Sequence, residues 1–206
     1  HGRRSAKERM ELQQLKKGKL AQTDSVALLS VVDGVDYIEN TEKERISNDF
    51  LSGEVDAYLG TSLQNMRVVV DLKNSFDEPS FLKKLNCGLE NGIEEQVQGY
   101  MDIGQCEGFI AHTLVNMPDI MLLEEKRRLF YSLPGEYISE DSPSFLKKWE
   151  QVERDMVFDD IPKHQRVFKI KIEPFAPSEQ QKLYDRVKIC RDWLNLFHDR
   201  YQNLNK

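Results

Sequence analysis

The sequence has 206 residues, 39% of them hydrophobic and 31% charged, and a net charge of −6. That balance excludes a disordered or low-complexity chain and is enough for one domain, read as residues 1–206, with a sizeable core. No apolar stretch is long enough to span a bilayer and no secretory signal pattern is present, so a cytoplasmic protein with no membrane partner is expected.

The charge is unevenly spread. Residues 1–19 carry seven basic residues against two acidic, net +5, and the remaining 22 basic and 33 acidic residues give −11. A basic N-terminal stretch on an acidic body offers phosphate contacts, with Lys16, Lys17 and Lys19 as the candidates, and the acidic body suits a protein that recruits divalent cations. Cys87, Cys106 and Cys190 are far apart, and no pair has the spacing of a zinc or iron–sulfur site. They read as thiols in a reducing compartment. His112 lies in an apolar run and reads as a core or edge residue.

Residues 5–17 read as a helix rich in Ala, Glu, Leu and Lys, unbroken before Gly18. Residues 20–32 read as a second helix, apolar at Val26 and Leu29, closed by an Asp33-Gly34 turn. A strand at 35–38 is followed by one at 50–59, a loop at 60–66 and a strand at 67–73. Its Val68-Val69-Val70 run suits a central position covered on both sides. Helices at 78–85 and 92–103 follow, then a strand at 108–117, a helix starting at Pro118, and a further helix at 143–156. Residues 166–173 alternate as a strand, with Val167, Lys169 and Lys171 on one side and Phe168, Ile170 and Ile172 on the other. The last helix, 178–204, carries Leu183, Val187, Cys190, Leu194, Phe197 and Tyr201 at alternating spacings of four and three. Packing of that stripe on its own domain is expected; its use as a protein-interaction module is the rival. The element order gives an α/β (α+β) class with a mixed sheet.

The strongest local signal is the hairpin of residues 51–74. With its loop centred near Leu63, opposed residues have numbers that sum to about 127, which sets Leu59 opposite Val68 and Asp56 opposite Asp71. Two facing carboxylates are destabilising unless a cation neutralises them. Lys73, two residues beyond Asp71, shares its side of the strand, while Leu72 points the other way into apolar packing.

In this order the residues resemble the PD-(D/E)XK nucleases, which carry an acid on one strand and Asp/Glu-x-Lys on the next. Here these are Gly53-Glu54-Val55-Asp56 and Val70-Asp71-Leu72-Lys73. The helix that follows holds Gln96-Val97-Gln98-Gly99-Tyr100, similar to the Gln-x-x-x-Tyr motif of the branch with RecB-type and lambda-type phage exonucleases. The likeness covers residues 15–130 well and the C-terminal third only in general layout.

The resemblance implies a restriction-endonuclease-like core and a Mg²⁺- or Mn²⁺-dependent deoxyribonuclease of phage type, exonucleolytic and acting in DNA processing or recombination. Asp56, Asp71 and the main-chain carbonyl of Leu72 would ligate the metal, Lys73 would orient water or offset developing charge, and Gln96 and Tyr100 would position the DNA. DNA is the implied partner, with a single-strand annealing or recombination protein and a second copy of the chain beside it, in a bacterial or phage-infected cell. No iron–sulfur cluster is expected. One departure matters. Gly18-Lys19-Leu20-Ala21 leads to Gln22 where the branch places a metal-ligating Glu, and Asp24 points to another part of the helix surface. The alternative is therefore a catalytically weakened or inactive DNA-binding or regulatory protein on the same fold.

Overall fold

The computed structural model describes residues 6–88, 92–133 and 139–204; Arg3 and Arg4 of the basic stretch lie outside them. Two helices open the chain, α1 (Ala6–Leu20) and α2 (Gln22–Asp33). Gly18 does not end the first helix: α1 runs through it, and the break falls at Ala21, which is wholly buried. Gly34 closes α2 in the left-handed conformation (φ 67°), its N–H returning to the Ser30 carbonyl.

Five strands form one mixed sheet in the order β1 (Ile38–Glu39), β4 (Ala57–Gly60), β5 (Met66–Asn74), β6 (Glu107–Thr113), β7 (Val167–Ile172). Only β5 and β6 run parallel. Between them the chain crosses over through α3 (Glu78–Cys87) and α4 (Ile93–Gly104), as a parallel pair requires. The expected strand at 50–59 is split. Its first part is β3 (Ser52–Glu54), which leaves the main sheet to pair with β2 (Arg45–Ser47). Buried Asn40 is the cause: its amide Nδ2 donates to the Val55 carbonyl at 3.1 Å and its N–H to the Asp56 carbonyl at 3.0 Å, taking over backbone groups at the break.

The sheet is covered on both faces. On one, Val97, Tyr100 and Met101 of α4 pack on Val69, Ile110 and Ile172; on the other, Val26 and Leu29 of α2 pack on Ala57, Val70 and Ala111. The β7 alternation holds, since Ile170 and Ile172 join the α4 layer while Lys169 pairs with Asp33 of α2 at 2.6 Å. His112 is a core residue, stacked on Phe168 with ring centroids 4.6 Å apart. Strand β6 ends four residues earlier than expected because Leu114 and Met117 donate to the carbonyls of Arg166 and Met156 outside the sheet. Helices α5 (Asp119–Ser132) and α6 (Pro143–Arg154) follow it.

The last helix, α7 (Pro177–Leu204), corrects a second expectation. Its first half docks on the body: Gln180 and Tyr184 donate to the buried carboxylate of Asp102, Tyr184 stacks on Phe50, and Arg191 caps the Asp49 carbonyl. Beyond that, Trp193, Leu194, Phe197 and Tyr201 stay 55–61% exposed, so most of the apolar stripe does not pack on its own domain.

Candidate active site

The hairpin register is the one the numbering predicts. Ala57 lies opposite Val70, Tyr58 opposite Val69 and Leu59 opposite Val68, with one irregularity between Leu59 and Gly60. One step further, just before β4 begins, this register sets Asp56 across from Asp71. Val69 belongs to the α4 layer and Val70 to the α2 layer, so alternation puts Asp71 and Lys73 on the α4 side and Leu72 on the α2 side, where it packs.

Asp71 is 2% exposed and its carboxylate pairs with the Lys73 ammonium at 2.7 Å. Burial pushes its carboxyl pKa above the ordinary value, Asp56 adds to the rise, and Lys73 opposes it. The Asp56 pKa is also raised, chiefly by burial and further by Glu39, against the Leu72 N–H, Lys73 and Lys43. The Leu72 N–H donates to Asp56 Oδ2 at 2.9 Å. In an extended strand a residue's N–H and C=O point to the same side, so the Leu72 carbonyl faces the same gap beyond the end of β4.

Gln96 and Tyr100, one turn apart on α4, are joined by a 2.7 Å hydrogen bond from Gln96 Nε2 to the tyrosine oxygen. The Tyr100 ring packs against Gly53; a Cβ there would come within 2.3 Å of Cε1, so only glycine lets β3 approach this closely. The burial of Tyr100 raises its pKa, as do Asp71 and Asp56 nearby.

A cavity of about 760 Å³ gathers Gln22, Asp56, Asp71, Leu72, Lys73 and Gln96, with Lys19 on its α1 wall and Lys84 on its α3 wall. Gln22 meets the backbone beside the acids: its Nε2 lies 3.4 Å from the Asp56 main-chain carbonyl, and its Oε1 accepts from Lys43 Nζ at 2.8 Å. Asp24 lines a separate cavity with Arg166.

The three basic candidates part company. Lys19 is exposed at the cavity rim, and Lys16 pairs with Glu124 of α5 at 2.6 Å. Lys17 is 1% exposed and cannot meet a phosphate, which corrects its assignment to DNA binding. Its ammonium donates to the Ser75 and Phe76 carbonyls at 2.9 and 3.0 Å and lies over the Phe158 ring. Two further residues here carry no role in the sequence pattern. Asn74, next to Lys73, donates to Ser25 Oγ at 3.1 Å. Lys43 sits in a turn with φ 52°, and no motif marks it.

No family model matches this sequence, and no curated protein matches it. Among solved structures the chain is similar to a phage related exonuclease from Haemophilus somnus 129PT, with 22% identity, a TM-score of 0.57, and coverage of 92% of this chain and 74% of that one. The chain has that exonuclease's fold. A second structure, an alkaline exonuclease (LHK-Exo) from Laribacter hongkongensis, matches at 10% identity and a TM-score of 0.49 over 91% of this chain and 75% of that one. Among the described residues no helix is long and apolar enough to cross a membrane.

Proposed function

We propose that the chain is a divalent-metal-dependent deoxyribonuclease of the PD-(D/E)XK type that degrades DNA from its ends. The observation that carries this is the convergence of Asp56, Asp71 and Lys73 on one cavity with Gln96 beside them, on the fold of a phage exonuclease. The donor set fits one hard ion: two carboxylates whose charge is costly where they stand, and the Leu72 carbonyl facing the same gap. When bound, such an ion lowers the pKa of a coordinated water and offsets charge on the phosphate.

The chain's own residues do the rest. Lys73 favours the ionised form of Asp71 and places an ammonium next to the reacting phosphate, where its charge favours the more anionic transition state. The hydrogen bond to buried Tyr100, itself packed on Gly53, fixes Gln96 on the cavity wall for orienting the nucleotide. Water attacks phosphorus, the P–O bond to the leaving sugar oxygen breaks, and that oxygen ends protonated.

Linear duplex and closed circular plasmid, each incubated with Mn²⁺, Mg²⁺ or EDTA, test the reading. Linear DNA should disappear with either ion, the closed circle should survive, and EDTA should stop digestion. Intact linear duplex in both ions overturns the proposal; digestion of the closed circle overturns its exonucleolytic part.

Lys19 and, less so because of Glu124, Lys16 supply contacts to backbone phosphates. Lys16→Gln with Lys19→Gln should weaken metal-free DNA binding and reduce the slope of log affinity against log salt by up to about one unit per lost contact. An unchanged slope assigns both lysines to solvated surface.

A further inference from the structure

Resting on that reading, we propose that Lys43 serves as a resident cation in place of a second divalent ion, so that the site holds one metal and not two. Two-metal phosphodiester chemistry sets ions about 4 Å apart, clamped by shared and flanking carboxylates. This cavity offers two carboxylates, Asp56 and Asp71, and among the described residues no group of three His, Cys, Asp or Glu converges to hold an ion. Glu39 acts on Asp56 from outside the cavity lining, one of its oxygens accepting from Thr23 Oγ1 at 2.8 Å.

On the Asp56 side the polar partner is a neutral amide, Gln22, and its oxygen is taken by Lys43 Nζ at 2.8 Å. Lys43 also favours the ionised form of Asp56, after Lys73, which acts on both acids. The two acids thus face the ammonium groups of Lys73 and Lys43 before any ion enters. One divalent ion is accommodated between the acids. A second would stand against Lys43 with no anionic ligand of its own.

The turn that delivers Lys43 is built for it. Buried Asn40 spends its side chain on the turn, accepting from the Glu44 N–H at 3.0 Å and donating to the Glu44 carbonyl at 2.9 Å. The Lys43 N–H returns to the Asn40 carbonyl at 3.2 Å. Lys43 itself takes a left-handed φ of 52°, a conformation that disfavours any side chain with a Cβ and persists where the surroundings impose it. The same Asn40 donates its N–H to the Asp56 carbonyl, so this strained lysine and the metal-binding acid are held by one residue.

Titration calorimetry with Mn²⁺ alone, on the whole chain and without DNA, tests this. The unchanged protein should take up one ion, and Lys43→Ala with Gln22→Glu, which removes the ammonium and supplies a carboxylate, should take up two. Lys43→Ala alone should keep one ion and bind it roughly threefold tighter or more, because a competing charge is gone. Lys43 is exposed and all variants should melt cooperatively; thermal melts check this, and Lys43→Met substitutes for Lys43→Ala in the pair if the first does not fold. Two ions on the unchanged protein, or a single ion on the double variant, overturn the Lys43 proposal and leave the nuclease reading standing. No Mn²⁺ uptake by the unchanged protein overturns both.

Discussion

Asp71→Asn should lower metal-dependent cleavage of linear duplex by at least about a hundredfold, roughly 2.7 kcal/mol of transition-state stabilisation, while the metal-free protein stays folded. The loss follows from removing one of two carboxylates that the proposed ion depends on. The stability follows from the electrostatics. Asp71 is buried, and even with Lys73 at 2.7 Å its carboxyl pKa is raised, so its charge is a net cost to the folded state. A carboxyl whose folded pKa lies above its unfolded value holds its proton more tightly when folded. Its contribution therefore falls as pH rises from 3.8 through the folded pKa, opposite to the usual salt-bridged aspartate. Chemical denaturation without metal, run from pH 4 to pH 7, should show this decline in the unchanged protein and a shallower one in Asp71→Asn. Mn²⁺ at a hundred times its dissociation constant should then stabilise the unchanged protein at pH 7 by about 2.7 kcal/mol and the variant by much less. Collapse of the metal-free variant would make Asp71 a structural ion-pair member instead.

Lys17→Ala should destabilise the protein by about 2–4 kcal/mol at pH 7, because it empties the space beside Phe158 and strips the Ser75 and Phe76 carbonyls of their donor. Burial lowers the Lys17 pKa from 10.5 to about 8, with Asp77 opposing the shift. Below pH 8 the lysine is protonated in both states and the whole desolvation cost is present. Between about pH 8 and 10.5 the folded state releases the proton that the unfolded chain still holds. Stability then rises with pH, by up to about 1.4 kcal/mol per unit and about 3 kcal/mol across the window. Lys17→Met keeps the apolar stem and drops the charge, so the stability difference between unchanged protein and Lys17→Met should grow in favour of the unchanged protein over that window. A difference flat from pH 7 to 10.5 would show that Lys17 is solvated and not buried.

The hairpin was legible because a turn centre and the two-residue period of a strand determine which residues oppose, and both are local quantities. The pair of Gln96 and Tyr100 was legible for the same reason, being four residues apart on one helix. The fate of Lys17 was not. Its stretch reads as a solvated basic helix, and the carbonyls that bury it belong to residues 58 and 59 positions away. Lys43 escaped notice because a left-handed turn residue that is not glycine leaves no compositional trace, and its placement depends on Asn40 reaching across to Val55 and Glu44. The stripe on α7 shows the converse. Its period correctly gave a helix with an apolar face, but period alone does not say what that face meets; contacts near Asp102 anchor the first half, and Leu194, Phe197 and Tyr201 are more than half exposed.

The attachment of α1 has a consequence for how the cavity opens. This helix forms one wall of the site through Leu15, Gly18 and Lys19, yet Leu12, Leu15 and Leu20 are largely exposed and the single break at Ala21 separates it from the packed α2. Its main tie to the sheet is the Lys17 ammonium on the chain just past Lys73 and Asn74. With polar ties at Lys17 and at Lys16, which pairs with Glu124, and few buried apolar contacts among its described residues, α1 is expected to open at lower free energy than the sheet unfolds. Any ligand that bridges Lys19 and the acids binds the latched form alone, and filling the cavity and shutting it are one linked equilibrium.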